Sequence, residues 1–352
     1  MEKFRIAQVA PVWAPVPPVT YGGTERVVYH VVEELVRRGH EVTLFASGDS
    51  ETRARLRACC STNLFDGVAR GEITRPEYYL LSNVAQAIQD SGSFDIIHCH
   101  LGCFSLPFSR LTRTPLLHSL PSPLGGDDLW MLERYPELPV IARSRRQIAG
   151  IPAERRTNIH VIYNGVDFDS CEASEAPPQY LAFLGRMAPE KSPLDAIRIA
   201  RKLDMPIVLA GEPWYEGEHE YFDEQVKPLI DGTRVTYIGA VNETQKREFL
   251  SRASVLLFPI QWEEPLGNVM IEAMACGVPV VARNMGSVSE VVDAGRTGFY
   301  ADSVDEMPPL VLKALELDRK AVRACGRERF SRTRMVTEYL RVYRALVKRG
   351  TA

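Results

Sequence analysis

Residues Trp262–Ala282 read WEEPLGNVMIEAMACGVPVVA, and this stretch carries the strongest structural signal in the chain. An apolar run of strand length, Val255–Phe258, leads into it. Gly267 lets the backbone pass close to a ligand, and Asn268 can then cap a helix. A second apolar run, Val278–Ala282, follows that helix. A strand, a helix and a second strand in this order predict a parallel sheet covered by helices.

The same alternation extends outward from this stretch towards both ends of the chain. Phe4–Ala10 and Glu41–Ala46 have the pattern of strands, and between them Thr24 caps a helix with an apolar stripe. The alternation restarts at Tyr180–Leu184, after a polar segment, Glu172–Pro178, that contains two prolines and no apolar period. Two such series predict an α/β protein of two Rossmann-like domains with parallel sheets.

The predicted domain boundaries follow these changes of pattern. Residues 1–166 form an N-terminal Rossmann-like domain, 167–179 a linker and 180–328 a C-terminal Rossmann-like domain. Residues 329–352 are rich in arginine but keep an apolar stripe, so we expect a helix that crosses back to the N-terminal domain. Binding of anionic lipid headgroups by these arginines is the alternative. Open α/β sheets bind ligands at the carboxyl ends of their strands, so we expect the sheets to face a central cleft.

Composition excludes several classes of protein. The 352 residues exceed the usual size of a single core, and a net charge of −3 gives no overall attraction to nucleic acid. The first residues lack the apolar core and cleavage site of a secretory signal, and no apolar run is long enough to span a bilayer. We therefore expect a cytoplasmic protein without a transmembrane segment or a nucleic-acid partner. Peripheral contact with a membrane stays open.

The seven cysteines are scattered and form no Cys-x-x-Cys pair. We interpret them as reduced thiols of a cytosolic protein. A zinc site of His98, Cys99, His100 and Cys103 is the alternative, but no second pair completes a tetrahedral set, and we expect no metal.

Two glutamates in the opening stretch have the chemistry of a nucleotide-sugar site. Glu264 precedes Pro265 and is biased towards an extended backbone, while Glu272 falls on the second turn of the predicted helix. A carboxylate has only acceptor sites, which suits the vicinal diol of a ribose. The start of the helix suits a phosphate. The alternative is a surface helix with two exposed glutamates.

The segment EPLGNVMIEAMACGVPVV resembles the Glu-x7-Glu motif of retaining glycosyltransferase family 4, which has the GT-B fold. The resemblance implies that Glu272 holds the nucleotide ribose and that Glu264 contacts the donor sugar. It also implies that backbone N–H groups after Gly267, around Asn268 and Val269, hold the distal phosphate. In the family the N-terminal domain binds the acceptor and the C-terminal domain binds the nucleotide sugar.

A second match lies in Gly185–Lys191, which reads GRMAPEK. Arg186 leaves the end of a predicted strand and Lys191 starts the next predicted helix, where a lysine opposes the helix dipole unless an anion is near. The resemblance implies that both cations neutralise the donor diphosphate, in place of a metal. Taken alone, the pair is also compatible with a solvated surface.

Two weaker matches lie in the N-terminal half. Tyr21–Glu25 resembles the glycine loop of the family, so Gly22 and Gly23 are expected to approach the donor phosphates. The segment FDIIHCHL resembles the family's His-x-His, which implies that His100 lies near the donor hexose and that His98 is a packed residue. We interpret the two rings as pointing to opposite faces of the sheet. Two satisfied core histidines are the alternative.

The resemblance therefore implies a metal-independent, retaining hexosyltransferase that needs no cofactor and uses a nucleotide diphosphate sugar as co-substrate. Its catalytic residues would be Glu264, His100, Arg186 and Lys191. UDP-glucose is the expected donor and a hydroxyl of a soluble acceptor the expected target. The alternatives are a transferase that uses GDP-mannose or ADP-glucose, a GT-B epimerase, and a catalytically silent protein that binds nucleotide sugars.

Overall fold

The computed structural model describes residues 2–20, 22–171 and 178–350. Four of the sequence predictions fall partly outside the described residues: residue 1 of the N-terminal domain, Tyr21 of the glycine loop, 172–177 of the linker and 351–352 of the C-terminal helix. Contacts divide the chain into two compact units. We call the described part of 1–165 and 332–352 unit 1, and the described part of 166–331 unit 2.

Unit 1 contains one sheet of seven parallel strands in the order 3-2-1-4-5-6-7. The strands are β1 (Arg5–Val9), β2 (Glu41–Ala46), β3 (Arg55–Ala58), β4 (Ile96–Cys99), β5 (Leu116–Ser119), β6 (Val140–Ala142) and β7 (Ile159–Val161). The helices are α1 (Gly23–Arg37), α2 (Leu64–Ala69), α3 (Pro76–Gln89), α4 (Gly126–Arg134) and, at the end of the chain, α12 (Arg332–Gly350). The strand order reverses between β1 and β4, and loops at such a point commonly bind ligands.

Unit 2 repeats this plan with six parallel strands in the order 10-9-8-11-12-13. The strands are β8 (Tyr180–Leu184), β9 (Ile207–Ala210), β10 (Val235–Tyr237), β11 (Ala253–Phe258), β12 (Val280–Arg283) and β13 (Gly298–Ala301). The helices are α5 (Pro193–Lys202), α6 (Glu216–Tyr221), α7 (Glu243–Ser251), α8 (Asn268–Ala275), α9 (Val288–Val291), α10 (Met307–Ala314) and α11 (Arg319–Phe330). Here the order reverses between β8 and β11. The two parallel sheets confirm the predicted α/β class.

Helix α12 completes the core of unit 1. Its apolar side chains lie in one buried cluster with the apolar stripe of α1, and Met335, Tyr339 and Tyr343 are at most 2% exposed. Close packing of this kind makes a helix part of the domain that it covers. The last helix of the chain therefore belongs to the unit that begins it.

The cysteine interpretation is wrong for one pair, because Cys171 and Cys276 form a disulfide. Cys276 directly follows α8, and the guanidinium of Arg323 donates to the carbonyl oxygens of both Cys171 and Ala275, at 2.7 and 2.9 Å. These contacts hold the start of unit 2 against the end of α8. A bond across 105 residues leaves no sign in local spacing. The other cysteines, Cys59, Cys60, Cys99, Cys103 and Cys325, are free thiols as expected.

Among the described residues, no helix is both long enough and apolar enough to cross a membrane.

Candidate active site

The loops after β8 and β11 lie side by side at the point where the strand order of unit 2 reverses. The N–H of Gln261 donates to the carbonyl of Glu190 at 2.8 Å, which joins the two loops. The first loop carries Arg186 and Lys191, and the second carries Glu264. The fold therefore brings together three of the predicted site residues on neighbouring strand ends.

Lys191 and Glu264 form a short ion pair. The lysine Nζ lies 2.5 Å from Oε2 of Glu264, and each side chain is 14% exposed. The indole Nε1 of Trp262 donates to the same oxygen at 3.0 Å, and Lys191 Nζ lies 4.3 Å from the centre of that indole ring. Lys191 ends a single 3₁₀ turn and precedes α5, so the prediction that it starts a helix is wrong. The left-handed Ser192 separates the turn from the helix.

Arg186 is held by two carboxylates. Its guanidinium donates to Glu190 at 2.6 Å and contacts Glu218 of α6 more closely. The other oxygen of Glu218 accepts from the N–H of Trp214 at 2.8 Å, so this carboxylate is fixed from both sides. Arg186 is 12% exposed at its side chain. No sequence pattern indicated Glu218, because it follows Arg186 by 32 residues on a separate helix.

Glu272 also has a resident cation, Lys246 of α7. The lysine Nζ lies 2.6 Å from Oε1 of Glu272 and 3.1 Å from Oε2 of Glu243. The side chains of Lys246 and Glu272 are 11% and 16% exposed, so the pair is largely shielded from water. The sequence predicted Glu272 but missed Lys246.

Helix α8 begins one residue earlier than predicted. Gly267 occupies the N-cap position with φ of 70° and ψ of 70°, and Asn268 is the first helical residue instead of the cap. A Cβ on Gly267 would lie 2.8 Å from Cε of Met270 and 3.1 Å from Cζ of Phe258. Both the left-handed backbone and the lack of space require glycine. The N–H groups of Asn268 and Val269 lie in the first turn, where a helix leaves N–H groups without intrahelical partners.

In unit 1 the glycine loop after β1 is fixed by the start of α1. Gly22 has φ of 149°, and Gly23 is the first helical residue. Arg26 donates to the carbonyl oxygens of Pro18 and Thr20, at 2.9 and 3.2 Å. A Cβ on Gly22 would meet Cβ of Pro18 at 2.6 Å, so the close approach excludes a side chain. The two glycines therefore sit in a tightly held turn.

Glu25 lies in the first turn of α1 and is only 6% exposed. Burial raises the pKa of its carboxyl to about 7, although the N–H of Ala14 and the charge of Arg143 act in the opposite direction. A buried carboxyl that titrates near neutral pH next to a glycine loop was not indicated by the sequence.

His100 follows β4 and is 1% exposed. Its Nε2 lies 2.8 Å from Oε1 of Gln8. Burial lowers the pKa of His100 to about 3, and the charge of Arg143 acts in the same direction, so the ring is neutral at pH 7.

His98 is fully buried, and both its nitrogens are hydrogen-bonded: Nδ1 to the hydroxyl of Tyr343 at 2.7 Å, and Nε2 to Oγ of Ser119 at 2.8 Å. The rings of His98 and His100 lie 4.0 Å apart, so the interpretation that they point to opposite faces is wrong. Residues two apart in a strand share a face. His98 is a packed residue.

The described ranges contain no group of three or more His, Cys, Asp or Glu side chains placed to hold a metal ion.

Two family models match consecutive parts of the chain. The model described as Glycosyltransferase Family 4 matches residues 21–170, and the model described as Glycosyl transferases group 1 matches residues 170–328.

Individual proteins show the same likeness. The D-inositol 3-phosphate glycosyltransferase of Arthrobacter sp. (strain FB24) is 25% identical over 339 residues, which cover 80% of this chain and 78% of that protein. The crystal structure of AviGT4, a glycosyltransferase involved in avilamycin A biosynthesis, is 25% identical with a TM-score of 0.71, and 98% of each chain is covered. Anabaena Alr3699/HepE, crystallised with UDP and glucose, has a TM-score of 0.73 at 21% identity, covering 97% of this chain and all of that one.

Proposed function

The chain belongs to the family 4 glycosyltransferases with the GT-B fold, and from this membership we propose that it is a retaining hexosyltransferase. Its donor is a nucleotide diphosphate sugar and its acceptor a hydroxyl of a soluble molecule. The observation that carries the proposal is the cluster on unit 2, where Arg186, Lys191 and Glu264 meet at neighbouring strand ends. UDP-glucose is the first donor to test, because HepE was crystallised with UDP and glucose. GDP-mannose and ADP-glucose come next.

Arg186 and Lys191 bind the diphosphate in this proposal. Each cation already has a carboxylate partner, so the phosphate oxygens take over contacts that Glu190 and Glu264 make in the free protein. Fixed cations beside the bridging oxygen stabilise the charge that develops on the departing nucleoside diphosphate. The N–H groups of Asn268 and Val269 add hydrogen bonds to the distal phosphate.

Glu272 binds the ribose. Lys246 occupies one carboxylate oxygen, Oε1, and leaves Oε2 to accept from the ribose hydroxyls. Glu264 and His100 contact the hexose and orient its anomeric carbon. Gly22 and Gly23 let the backbone of the glycine loop approach the donor phosphates.

Retention follows from attack on the face that the leaving group departs from. The bond from the anomeric carbon to the phosphate oxygen breaks as the bond to the acceptor oxygen forms. The acceptor proton passes to the departing phosphate oxygen, so no protein nucleophile and no external base are required. The anomeric configuration of the product, read from the proton coupling of its anomeric carbon, tests this step. An inverted product would contradict it.

The proposal includes metal independence, because Arg186 and Lys191 supply the positive charge that a divalent ion supplies in other transferases. Turnover should persist in EDTA. Turnover that disappears in EDTA and returns with added Mg²⁺ or Mn²⁺ would contradict this part of the proposal.

Thermal unfolding with UDP, GDP, ADP and their sugar conjugates tests the donor. A ligand that binds the folded state alone stabilises it by about 2.7 kcal/mol at a hundredfold excess over its dissociation constant. A shift with one nucleotide, lost in the Glu272→Gln variant, would identify the donor class. The absence of a shift with every nucleotide would favour the catalytically silent alternative.

A further inference from the structure

Five polar side chains in the core of unit 1 form an unbroken series of hydrogen bonds. All five are at most 3% exposed, and they lie on β1, β4, β5 and α12 or, in the case of His100, directly after β4. In order along the series they are His100, Gln8, Tyr343, His98 and Ser119. Buried polar groups must satisfy one another, so the bonds of such a series are not independent.

The amide of Gln8 gives the series a direction. Its Nε2 donates to the hydroxyl oxygen of Tyr343 at 3.0 Å, which leaves Oε1 to accept from Nε2–H of His100 at 2.8 Å. The Tyr343 hydroxyl has one proton, and it donates this proton to Nδ1 of His98 at 2.7 Å.

The same direction continues beyond His98. Its Nδ1 accepts, so Nε2 carries the ring proton and donates to Oγ of Ser119 at 2.8 Å. Reversing the amide of Gln8 would reverse every bond in the series and move the proton of His100 to the other nitrogen.

Nδ1 of His100 is left for a ligand. Among the described residues this atom has no hydrogen-bond partner. It is not one of the polar atoms of those residues that are fully buried without a partner. A neutral ring that carries its proton on Nε2 presents Nδ1 as an acceptor only. A sugar hydroxyl can donate to that atom, whereas a sugar oxygen without a hydrogen cannot.

We propose that Gln8, Tyr343 and His98 are positioning residues that hold His100 in its Nε2–H tautomer, so that Nδ1 accepts from a hydroxyl of the bound hexose. The inference rests on the proposed role of His100. The hydroxyl of Tyr343 is the central group of the series, since it accepts from Gln8 of β1 and donates to His98 of β4.

Two phenylalanine variants on α12 separate this role from simple packing. Tyr343→Phe removes the hydroxyl that both Gln8 and His98 use. Tyr339→Phe is the matched control, because the Tyr339 ring is stacked on that of Tyr343 with centroids 6.3 Å apart and is also buried. Its hydroxyl makes none of the hydrogen bonds that form the series. The control leaves the bonds between His100, Gln8 and Tyr343 in place.

The tautomer is read directly from ¹⁵N chemical shifts and long-range ¹H–¹⁵N couplings of ¹⁵N-histidine protein, with His100→Gln as the assignment variant. We expect Nε2–H in the unaltered protein and in Tyr339→Phe, and a mixture of tautomers in Tyr343→Phe. An even mixture would lower turnover about twofold, because only the competent fraction binds. A wild-type His100 with its proton on Nδ1, or a Tyr343→Phe protein with an unchanged tautomer, would overturn the inference.

Two further measurements keep the result decisive. Gln8→Leu removes the amide that accepts from Nε2–H of His100, and it replaces Tyr343→Phe if the latter variant does not fold. His100→Ala tests the proposed function separately: full turnover in this variant, with the tautomer behaving as expected, would show that the series exists but that His100 has no role in transfer. Loss of turnover in His100→Ala with an insensitive tautomer would refute only the positioning residues.

Discussion

The carboxyl ends of the two sheets are built from opposite kinds of polar group. In unit 1 the side chains that form the hydrogen-bonded series with His100 are neutral and buried, and each bond has a direction. In unit 2 the side chains around Glu264 and Glu272 are charged and paired. A neutral donor or acceptor in a core must find one partner in one orientation. A charged group can exchange one counter-charge for another.

This difference separates two tasks of a glycosyl transfer. The ion pairs of unit 2 suit a ligand with its own charges, since a diphosphate can replace the carboxylates that face Arg186 and Lys191. These two cations face three carboxylates, Glu190, Glu218 and Glu264, so the free site has no excess positive charge. The hydrogen-bonded groups of unit 1 suit a ligand that is read by the direction of its hydroxyls.

The largest effect should come from removing the cation that is held most firmly. Arg186→Ala should lower kcat by roughly 10²–10³, the usual cost of losing a group that stabilises transition-state charge. The loss of turnover should be larger than the loss of stability, which the melting temperature measures against that of Arg198→Ala, a control at a side chain that is 73% exposed. Steady-state kinetics with the donor identified by thermal shift measure the effect. Normal turnover in Arg186→Ala would contradict the proposal that Arg186 stabilises the charge of the departing nucleoside diphosphate.

The stability of the protein should depend on pH through one buried carboxyl of unit 1, that of Glu25. The pKa of Glu25 is raised from 4.5 to about 7 in the folded protein, so between these values the folded state keeps a proton that the unfolded chain has lost. Stability therefore falls as the pH rises through this window, by at most about 3 kcal/mol.

Glu25→Gln should abolish that loss and be more stable than the unaltered protein at pH 8, with the advantage shrinking towards pH 5. Chemical denaturation at several pH values measures it, and Glu77→Gln, at a side chain that is 46% exposed, is the control. A constant difference between the Glu25→Gln variant and the unaltered protein over the whole pH range would contradict the raised pKa.

The ion pair between Lys246 of α7 and Glu272 of α8 tests whether a charged partner orients the carboxylate that binds the ribose. Lys246→Met leaves Glu272 without its cation, and UDP binding should weaken by roughly tenfold, the cost of one hydrogen bond to a charged group. The preference for UDP over 2′-deoxy-UDP should narrow at the same time, since the orientation of the carboxylate is lost. Lys246→Arg should retain most of the binding. Titration calorimetry measures both ligands, and an unchanged preference in Lys246→Met would show that Lys246 does not orient Glu272.

The smallest expected effect is an increase, not a loss, of nucleotide affinity, and it should come from a change at Glu218. Glu218→Gln removes a charge that competes with the diphosphate for Arg186 but keeps an oxygen for the N–H of Trp214. Nucleotide binding should tighten by about threefold, because the diphosphate then competes with one negative charge fewer at Arg186. Weaker binding would mean that Glu218 orients Arg186 for the ligand and does not compete with it.

Local pattern predicted much of the fold. The strands β8 and β11 and the helix after Gly267 lie close to their predicted positions, because an apolar period and a glycine are features of adjacent residues. The predictions missed by small amounts where one backbone conformation intervened, as at the left-handed Gly267 and Ser192.

Pairings across the fold could not be read in this way. Lys246 meets Glu272 across 26 residues, Glu218 meets Arg186 across 32, and Gln8 meets Tyr343 across 335. Each pair depends on how helices and strands pack, which no local spacing encodes. The roles of Glu264, Glu272, Arg186, Lys191 and His100 remain predictions until the variants are measured.

The position of α12 at the end of the chain has a consequence for the order in which the two units are completed during synthesis. A ribosome completes residues 166–331 before it makes Met335, Tyr339 and Tyr343, which fill the core of unit 1. Unit 2 is continuous in sequence, whereas unit 1 is interrupted by it. The apolar stripe of α1 can therefore be covered by its native partner only after the whole of unit 2 has been synthesised.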